Sequence, residues 1–238
     1  MTGDMADGID RTIANRRYTR VAILLHWAIA ALILYNLSSG LLRPYLPRGF
    51  FTFHVSSGLT ILILTAARVA WRLTHRPPAL LTAKRWEANL ANSVHFLLYA
   101  AMVLIPLSGW ALISASPPLG SPGAAYAAER QAAKAKAEGK PAPKPRNSPR
   151  LLWELLPIPS IGPISHIGAE PEGVAEQAEL RGKIETAHLV GGWLMLLLLV
   201  LHIGGALKHQ FADRLPQLAR MGIGRDRVTP LPKEQPEG

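Results

Sequence analysis

The sequence holds no cysteine among its 238 residues. Disulfides, thiolate metal sites and iron–sulfur clusters are therefore excluded, because each needs cysteine sulfur. Charged residues are sparse at 18%, and acidic ones are outnumbered, 16 against 26 Lys and Arg. No Asp or Glu lies in the core of any long apolar run. Aromatic residues reach only 7%, with no aromatic–basic interleaving of the kind that marks a nucleic-acid surface, so the formal charge of +10 has another origin. Its Lys and Arg flank apolar stretches, which is how topology signals are distributed.

What is present is apolar length. The chain is 49% hydrophobic, and four stretches reach the roughly 20 residues needed to cross a hydrocarbon core: 21–42, 53–73, 90–113 and 184–207. An all-α membrane protein is predicted, a bundle of four transmembrane helices. The first twenty residues are polar and the first apolar run is long enough to span, so a short tail rather than a cleavable signal is expected. The expected organisation is a tail at 1–20, helices one to three within 21–113, a loop at 114–183, helix four at 184–209 and a tail at 210–238.

Lys and Arg set the orientation. Arg11, Arg16, Arg17 and Arg20 precede helix one; Arg76, Lys84 and Arg85 separate helices two and three; Lys208, Arg214, Arg220, Arg225 and Arg227 follow helix four. The loop between helices one and two has only Arg43 and Arg48. Both termini are therefore expected in the cytoplasm. The long loop between helices three and four is then periplasmic, because long loops cross largely regardless of their charge. Its stretch AAYAAERQAAKAKAEGKPAPKPRNSPR predicts a short Ala-rich helix followed by an extended, mobile Pro-rich segment. The later LLWELLPIPSIGPISHIG is apolar enough to lie on the membrane face or to cap the bundle.

Histidines are the ionisable residues inside these spans that ask for partners. His188 and His202 are fourteen residues apart, about 21 Å along a helix and within roughly 40° of one face. With the alternating topology, His26 and His202 fall in the inner leaflet and His54 and His188 in the outer. Two bis-imidazole sites stacked across a membrane describe a pair of b-type haems, since haem iron takes axial imidazole and bundle cores take cofactors from facing helices. Gly58, Gly191, Gly192, Gly204 and Gly205 follow these histidines, either to admit a macrocycle or to pack helices. Arg68 and Arg72, one turn apart near the inner end of helix two, are candidates for haem propionates or core pairing, with headgroup snorkelling as the other reading; Arg20 is a further candidate.

RYTRVAILLHW, FHVSSGLTILILTAARVAWRLTHRPP, HFLLYAAMVLIPLSGW and ETAHLVGGWLMLLLLVLHIGGALKH resemble bacterial cytochrome b561, a family of four-helix, di-haem cytochromes of the inner membrane related to hydrogenase cytochrome b subunits. The resemblance covers all four helices in order but not the long loop. It implies two haem b groups with His26, His54, His188 and His202 as axial ligands. It also implies electron exchange with ubiquinone, and for some members oxidation of superoxide at the periplasmic face. His209, with Lys208 beside it, resembles the position used near quinone. There it would hydrogen-bond a quinone carbonyl and deliver a proton, or else be an exposed tail histidine; Lys208 joins it or anchors the helix. His95 matches HFLLY in the family pattern, has no evident partner at its depth, and reads as a hydrogen-bonding residue near the inner haem.

The resulting expectation is electron transfer between a periplasmic donor, superoxide foremost, and ubiquinone, with membrane lipid as the other partner. Arg43, Arg48, Arg181 and Lys183 are candidates for attracting a small anion to the outer haem. One rival is an electron-carrying subunit that couples a dehydrogenase, a hydrogenase or a soluble redox partner to the quinone pool through the long loop. Another is a histidine-based proton or metal transporter, which the absence of intramembrane carboxylates and of internal repeats disfavours.

Overall fold

A computed structural model describes residues 17–75, 77–78, 84–215 and 217–224. Most of the expected N-terminal tail (1–16), the end of the C-terminal tail (225–238) and Arg11, Arg16, Arg76, Arg225 and Arg227 lie outside the described residues.

Helix α1 spans Arg20–Leu41, and its first turn is capped by Thr19, whose hydroxyl oxygen accepts from the Ala22 N–H at 3.3 Å. A 3₁₀ turn at Arg43–Tyr45 leads to α2, Arg48–Thr74. Helix α3 runs Arg85–Ser114 with Pro106 inside it. After an insertion, α6 runs Val174–Leu207 and continues as a π-helical turn, Lys208–Ala212. Four of these helices are long and apolar enough to cross a membrane, and only 11–28% of each apolar window is buried inside the protein, so the rest is available to lipid.

Helix α6 begins ten residues before the expected position 184. Its first residues, VAEQAELRGK, favour helix but are polar, so the hydropathy signal starts later than the backbone does. At 34 residues the helix is about 51 Å long, well beyond a hydrocarbon core of about 30 Å. Its first turns therefore project out of the membrane and hold the insertion.

The insertion is folded onto the bundle. It contains α4 (Pro122–Ala137), a two-stranded hairpin of β1 (Leu151–Leu152) and β2 (Leu156–Pro157), and a short α5 (Gly162–His166). The expected Ala-rich helix is α4, capped by Ser121 and opened by Pro122. Gly123 lies so close to the Gly168 carbonyl that a Cβ has no room, and its N–H donates to Ala169 O at 2.8 Å. Gln177 of α6 donates to the carbonyls of Ile164 and Ser165, both at 2.9 Å. The Pro-rich stretch forms no helix or strand, yet it is tied down by arginine. Arg146 donates to Pro117 O (3.2 Å), Arg150 to Ile113 O (2.9 Å) and Arg181 to Leu112 O (3.3 Å). Helix α3 has no basic residue in its own last turn, so the guanidiniums of Arg150 and Arg181 complement the negative end of its dipole. Burial, then repulsion from Arg146 and Arg181, pushes Arg150 down to about 10, still far above neutral pH.

The long helices pack in chain order, α1 on α2, α2 on α3 and α3 on α6. Neither α1 nor α2 packs closely on α6. The bundle is therefore open along one side, and the histidines face each other across that opening. Both described termini lie at one end, where Trp27 Nε1 donates to Met221 O at 2.9 Å.

Candidate metal centres

Fourteen residues are close to four helical turns, and all four spans use that interval. His26 and Gly40 on α1, His54 and Arg68 on α2, His95 and Gly109 on α3, and His188 and His202 on α6 are each fourteen apart. The result is two layers. The layer nearer the termini holds His26, His95 and His202, while Arg68 donates to Ala22 O, one turn before His26, at 3.1 Å. The layer nearer the insertion holds His54 and His188 with Gly40 and Gly109 against their rings. Between the layers, Ile29, Ile33, Ile61, Leu98, Met195 and Leu198 form the buried apolar core.

The rings of His26 and His202 have centroids 6.1 Å apart with planes at 61°, and those of His54 and His188 are 6.2 Å apart at 75°. A metal–imidazole bond is about 2 Å, and the ring centroid lies about 1 Å behind the bonding nitrogen. Two axial imidazoles on one iron thus set their centroids roughly 6 Å apart. Edge-to-face packing alone also covers 4.5–7 Å. Packing does not explain why the same separation recurs in two layers, across the side of the bundle that the helices leave open.

Hydrogen bonds orient two of the rings. Ser39 Oγ–H donates to Asn36 O (3.2 Å) and lies 3.0 Å from His54 Nδ1. Ser108 Oγ–H donates to Ile105 O (2.7 Å) and lies 2.9 Å from His188 Nδ1, which also approaches Ile105 O at 3.2 Å. Each serine has its proton engaged by a carbonyl, so each accepts from Nδ1–H. The lone pair then resides on Nε2 and is free for a metal. Pro106 helps, because a proline inside a helix removes one backbone hydrogen bond and loosens the turn where His188 docks. The ring nitrogens of His26 and His202 have no hydrogen-bond partner among the described residues, as suits nitrogens left for a ligand.

The two Ser-Gly pairs serve alike. A Cβ on Gly40 would stand 3.4 Å from His54 Cε1, and one on Gly109 would stand 3.1 Å from His188 Cε1. Sequence reasoning missed both, although Ser39-Gly40 and Ser108-Gly109 repeat one dipeptide in two spans. Of the glycines it did single out, Gly58 lies near Asn36 and Gly191 near Ile105, while Gly192, Gly204 and Gly205 have nothing within 4 Å of a built Cβ.

The chain matches the family described as prokaryotic cytochrome b561 over residues 17–224, which includes all four spans and both histidine layers. The chain belongs to the prokaryotic cytochrome b561 family. Membership implies haem b, the cofactor of such cytochromes, and with its four apolar helices the chain is a multi-pass protein of the bacterial inner membrane. Among curated proteins it is 27% identical over 104 residues to the probable superoxide oxidase CybB of Yersinia pestis, covering 42% of this chain and 59% of that protein. It is 24% identical over 107 residues to cytochrome b561 homolog 1 of Escherichia coli, covering 42% and 61%. To cytochrome b562 of Cereibacter sphaeroides it is 35% identical over 102 residues, covering 39% and 63%. The chain thus spans about three fifths of the length of the curated relatives it matches.

In this cytochrome b561 the remaining predicted site residues, Arg20 apart, have definite partners. His95 does have a neighbour at its depth, correcting the sequence expectation: its ring centroid is 5.1 Å from that of His202, and its Nδ1 bonds Ala91 O at 2.7 Å. Arg68 Nε donates to Tyr99 Oη at 3.0 Å, and Arg72 lies over the Tyr99 ring at 5.8 Å. With Arg17 and Trp71 they line a cleft at the terminal end. Arg20 opens α1 on the exposed surface.

His209 is only half-buried and pairs with Asp213, Nδ1 to Oδ2 at 2.7 Å. Lys208 bridges Asp213 (2.9 Å) and Glu87 of α3 (2.8 Å), a carboxylate only 7% exposed. The π-helical turn brings both Lys208 and His209 onto Asp213. At the other end Arg43 pairs loosely with Glu185 (4.0 Å) and Lys183 with Glu179 (2.7 Å), while Arg181 is engaged by α3.

Proposed function

We propose that this cytochrome b561 holds two haem b groups, one per histidine layer, and passes electrons from a periplasmic donor, superoxide foremost, to ubiquinone. Both termini lie in the cytoplasm in this reading, which the excess of Lys and Arg at the terminal end supports. The observation that carries it is the pair of facing imidazoles at 6.1 and 6.2 Å. Likeness to a protein named a probable superoxide oxidase supports the donor.

Haem iron supplies reversible one-electron chemistry when bound. The chain supplies the rest. His54 and His188, held by Ser39 and Ser108 with Nε2 presented, would hold one haem, and His26 and His202 would hold the other; the apolar core between the layers keeps water out. Arg68, Arg72 and Arg17 give the cleft at the terminal end a positive charge that fits carboxylate propionates. Arg20 is placed to add to that potential.

Quinone reduction takes two electrons and two protons. Two superoxide ions, each oxidised to O₂, would supply the electrons one at a time. His209 is the proton donor in this reading, delivering one proton per electron and reprotonated from water at the terminal end, with Lys208 holding Asp213 and Glu87 in place. Asp213, 2.7 Å from Nδ1, fixes the ring and leaves Nε2 as the nitrogen available to a quinone carbonyl.

Stopped-flow spectroscopy tests the assignment. Superoxide should reduce the haem, more slowly as salt rises, because the Debye length falls from about 30 Å at 0.01 M to about 10 Å at 0.1 M. His209→Leu should leave that phase intact and slow reoxidation by ubiquinone by roughly 100-fold. A protein inert to superoxide at every ionic strength yet rapidly reduced by quinol would instead be an electron-carrying subunit.

A further inference from the structure

The lipid-facing side of α2 changes character along its length. Toward the terminal end it exposes Ile63 (61%), Ala67 and Ala70. Seven residues from Ile63 in the other direction, within roughly 20° of the same face, Ser56 is 0% exposed. Thr60 flanks the same stripe. The hairpin of the insertion covers it: Trp153 N–H donates to Ser56 Oγ at 2.9 Å, its indole Nε1–H donates to Thr60 Oγ1 at 3.0 Å, and its ring meets Phe53 edge-on at 5.7 Å.

Depth and conformation add to this. Thr60 lies six residues, about 9 Å, past His54 toward the middle of the span, so the Trp153 indole reaches below the level of that histidine. Trp153 and Glu154 adopt φ values of 51° and 60°, a left-handed pair that such a tight turn normally assigns to Asn and Gly. The bonds to α2 hold this strained tip in place. Away from α2 the hairpin exposes Leu155 (79%), Leu156 (63%) and part of Trp153 (39%).

We propose that the hairpin 151–157 is an anchor inserted into the lipid leaflet at the insertion end, its uncovered apolar side occupied by acyl chains. It lies on the face that a spanning helix gives to lipid, and its apolar side continues that surface. Several of its backbone donors are met within the protein, Trp153 N–H by Ser56, Leu155 N–H by Leu152 O and Ile158 N–H by Arg150 O, which lowers the cost of an apolar medium. Tryptophan suits the boundary. Glu154, the charge at the tip, limits the depth to one from which its carboxylate can reach the headgroups. The anchor would fix the whole insertion over the His54–His188 end.

The chain has no cysteine, so single-cysteine variants carry no background label. Leu155→Cys and Leu156→Cys, nitroxide-labelled in the full haem-loaded chain, would be reconstituted in phosphatidylcholine–phosphatidylglycerol vesicles. Their spectra would be measured by power saturation with oxygen, which partitions into lipid, and with a nickel chelate, which stays in water. Ile63→Cys is the lipid control and Lys144→Cys the aqueous one, with haem content confirming the fold. Both hairpin labels should give the oxygen-to-nickel accessibility ratio of Ile63→Cys. A ratio like that of Lys144→Cys would overturn the proposal. So would a label shielded from both reagents, which would mean that a second copy covers the hairpin. Adding Ser56→Ala and Thr60→Val should release the tip and move the Leu155→Cys ratio toward water while haem content holds; an unchanged ratio would refute the role given to the Trp153 bonds.

Discussion

Gly109 makes the closer of the two glycine approaches to a histidine ring, with 3.1 Å between a built Cβ and His188 Cε1 against 3.4 Å for Gly40 and His54. Alanine in place of a helical glycine favours the helix by about 1 kcal/mol, so neither Gly109→Ala nor Gly40→Ala should lower the melting temperature. Gly109→Ala should nonetheless push the His188 ring by a few tenths of an ångström and shift the low-spin electron paramagnetic resonance signal of that site, while Gly40→Ala leaves it unchanged. Thr65 gives the opposite kind of case. It is 0% exposed, and its Oγ1 has no hydrogen-bond partner among the described residues. A buried hydroxyl without a partner costs stability, so Thr65→Val, nearly the same shape, should raise unfolding stability by about 1 kcal/mol in a denaturant titration. At this scale the four spanning histidines of the two facing pairs were legible, because imidazole is conspicuous among Leu and Ile and their spacing gives their depth. Ser39 and Ser108 were not, because serines are common in such helices and their roles depend on which ring lies opposite.

The spans themselves were legible as elements from apolar length, and their ends were misplaced where helix outlasts hydropathy. The first turns of α6 and the π-helical turn at Lys208–Ala212 are such extensions, and both carry polar contacts across the fold. Glu87 and Lys208 are 121 residues apart in sequence, a separation over which no local pattern reports a pairing. Hydrogen bonds from Lys208 and then His209 hold the Asp213 carboxyl below its usual range. Its folded value thus lies below its unfolded one. The stability it contributes is complete above the ordinary carboxylate range of about 3.9 and is lost only as pH falls through the lowered value. Quinone-linked reoxidation should therefore keep this clamp at mildly acidic pH. Asp213→Asn should remove the acid dependence that the clamp brings and slow the step at neutral pH, as rates of haem reoxidation followed across pH would report.

For the whole molecule, chain-order packing of α1, α2, α3 and α6 leaves one side open, and the two histidine pairs lie across it. That arrangement followed from depth reasoning on the sequence, since alternating spans bring His26 to His202 and His54 to His188. The folded insertion did not follow, because its anchors are long-range bonds such as Trp153 to Ser56 and Arg150 to Ile113, made by residues with no shared local motif. Each facing pair has the separation of two ligands on one iron, so two pairs call for two haems. The most direct measurement is the haem b content per chain, by pyridine haemochrome, of the purified protein and of His26→Ala, His54→Ala, His188→Ala and His202→Ala. Two per parent chain and one in each variant are expected, with His26→Ala and His202→Ala retaining the same spectral species and His54→Ala and His188→Ala retaining the other. A parent content of one, or His26→Ala and His54→Ala losing the same species, would contradict the two-haem reading.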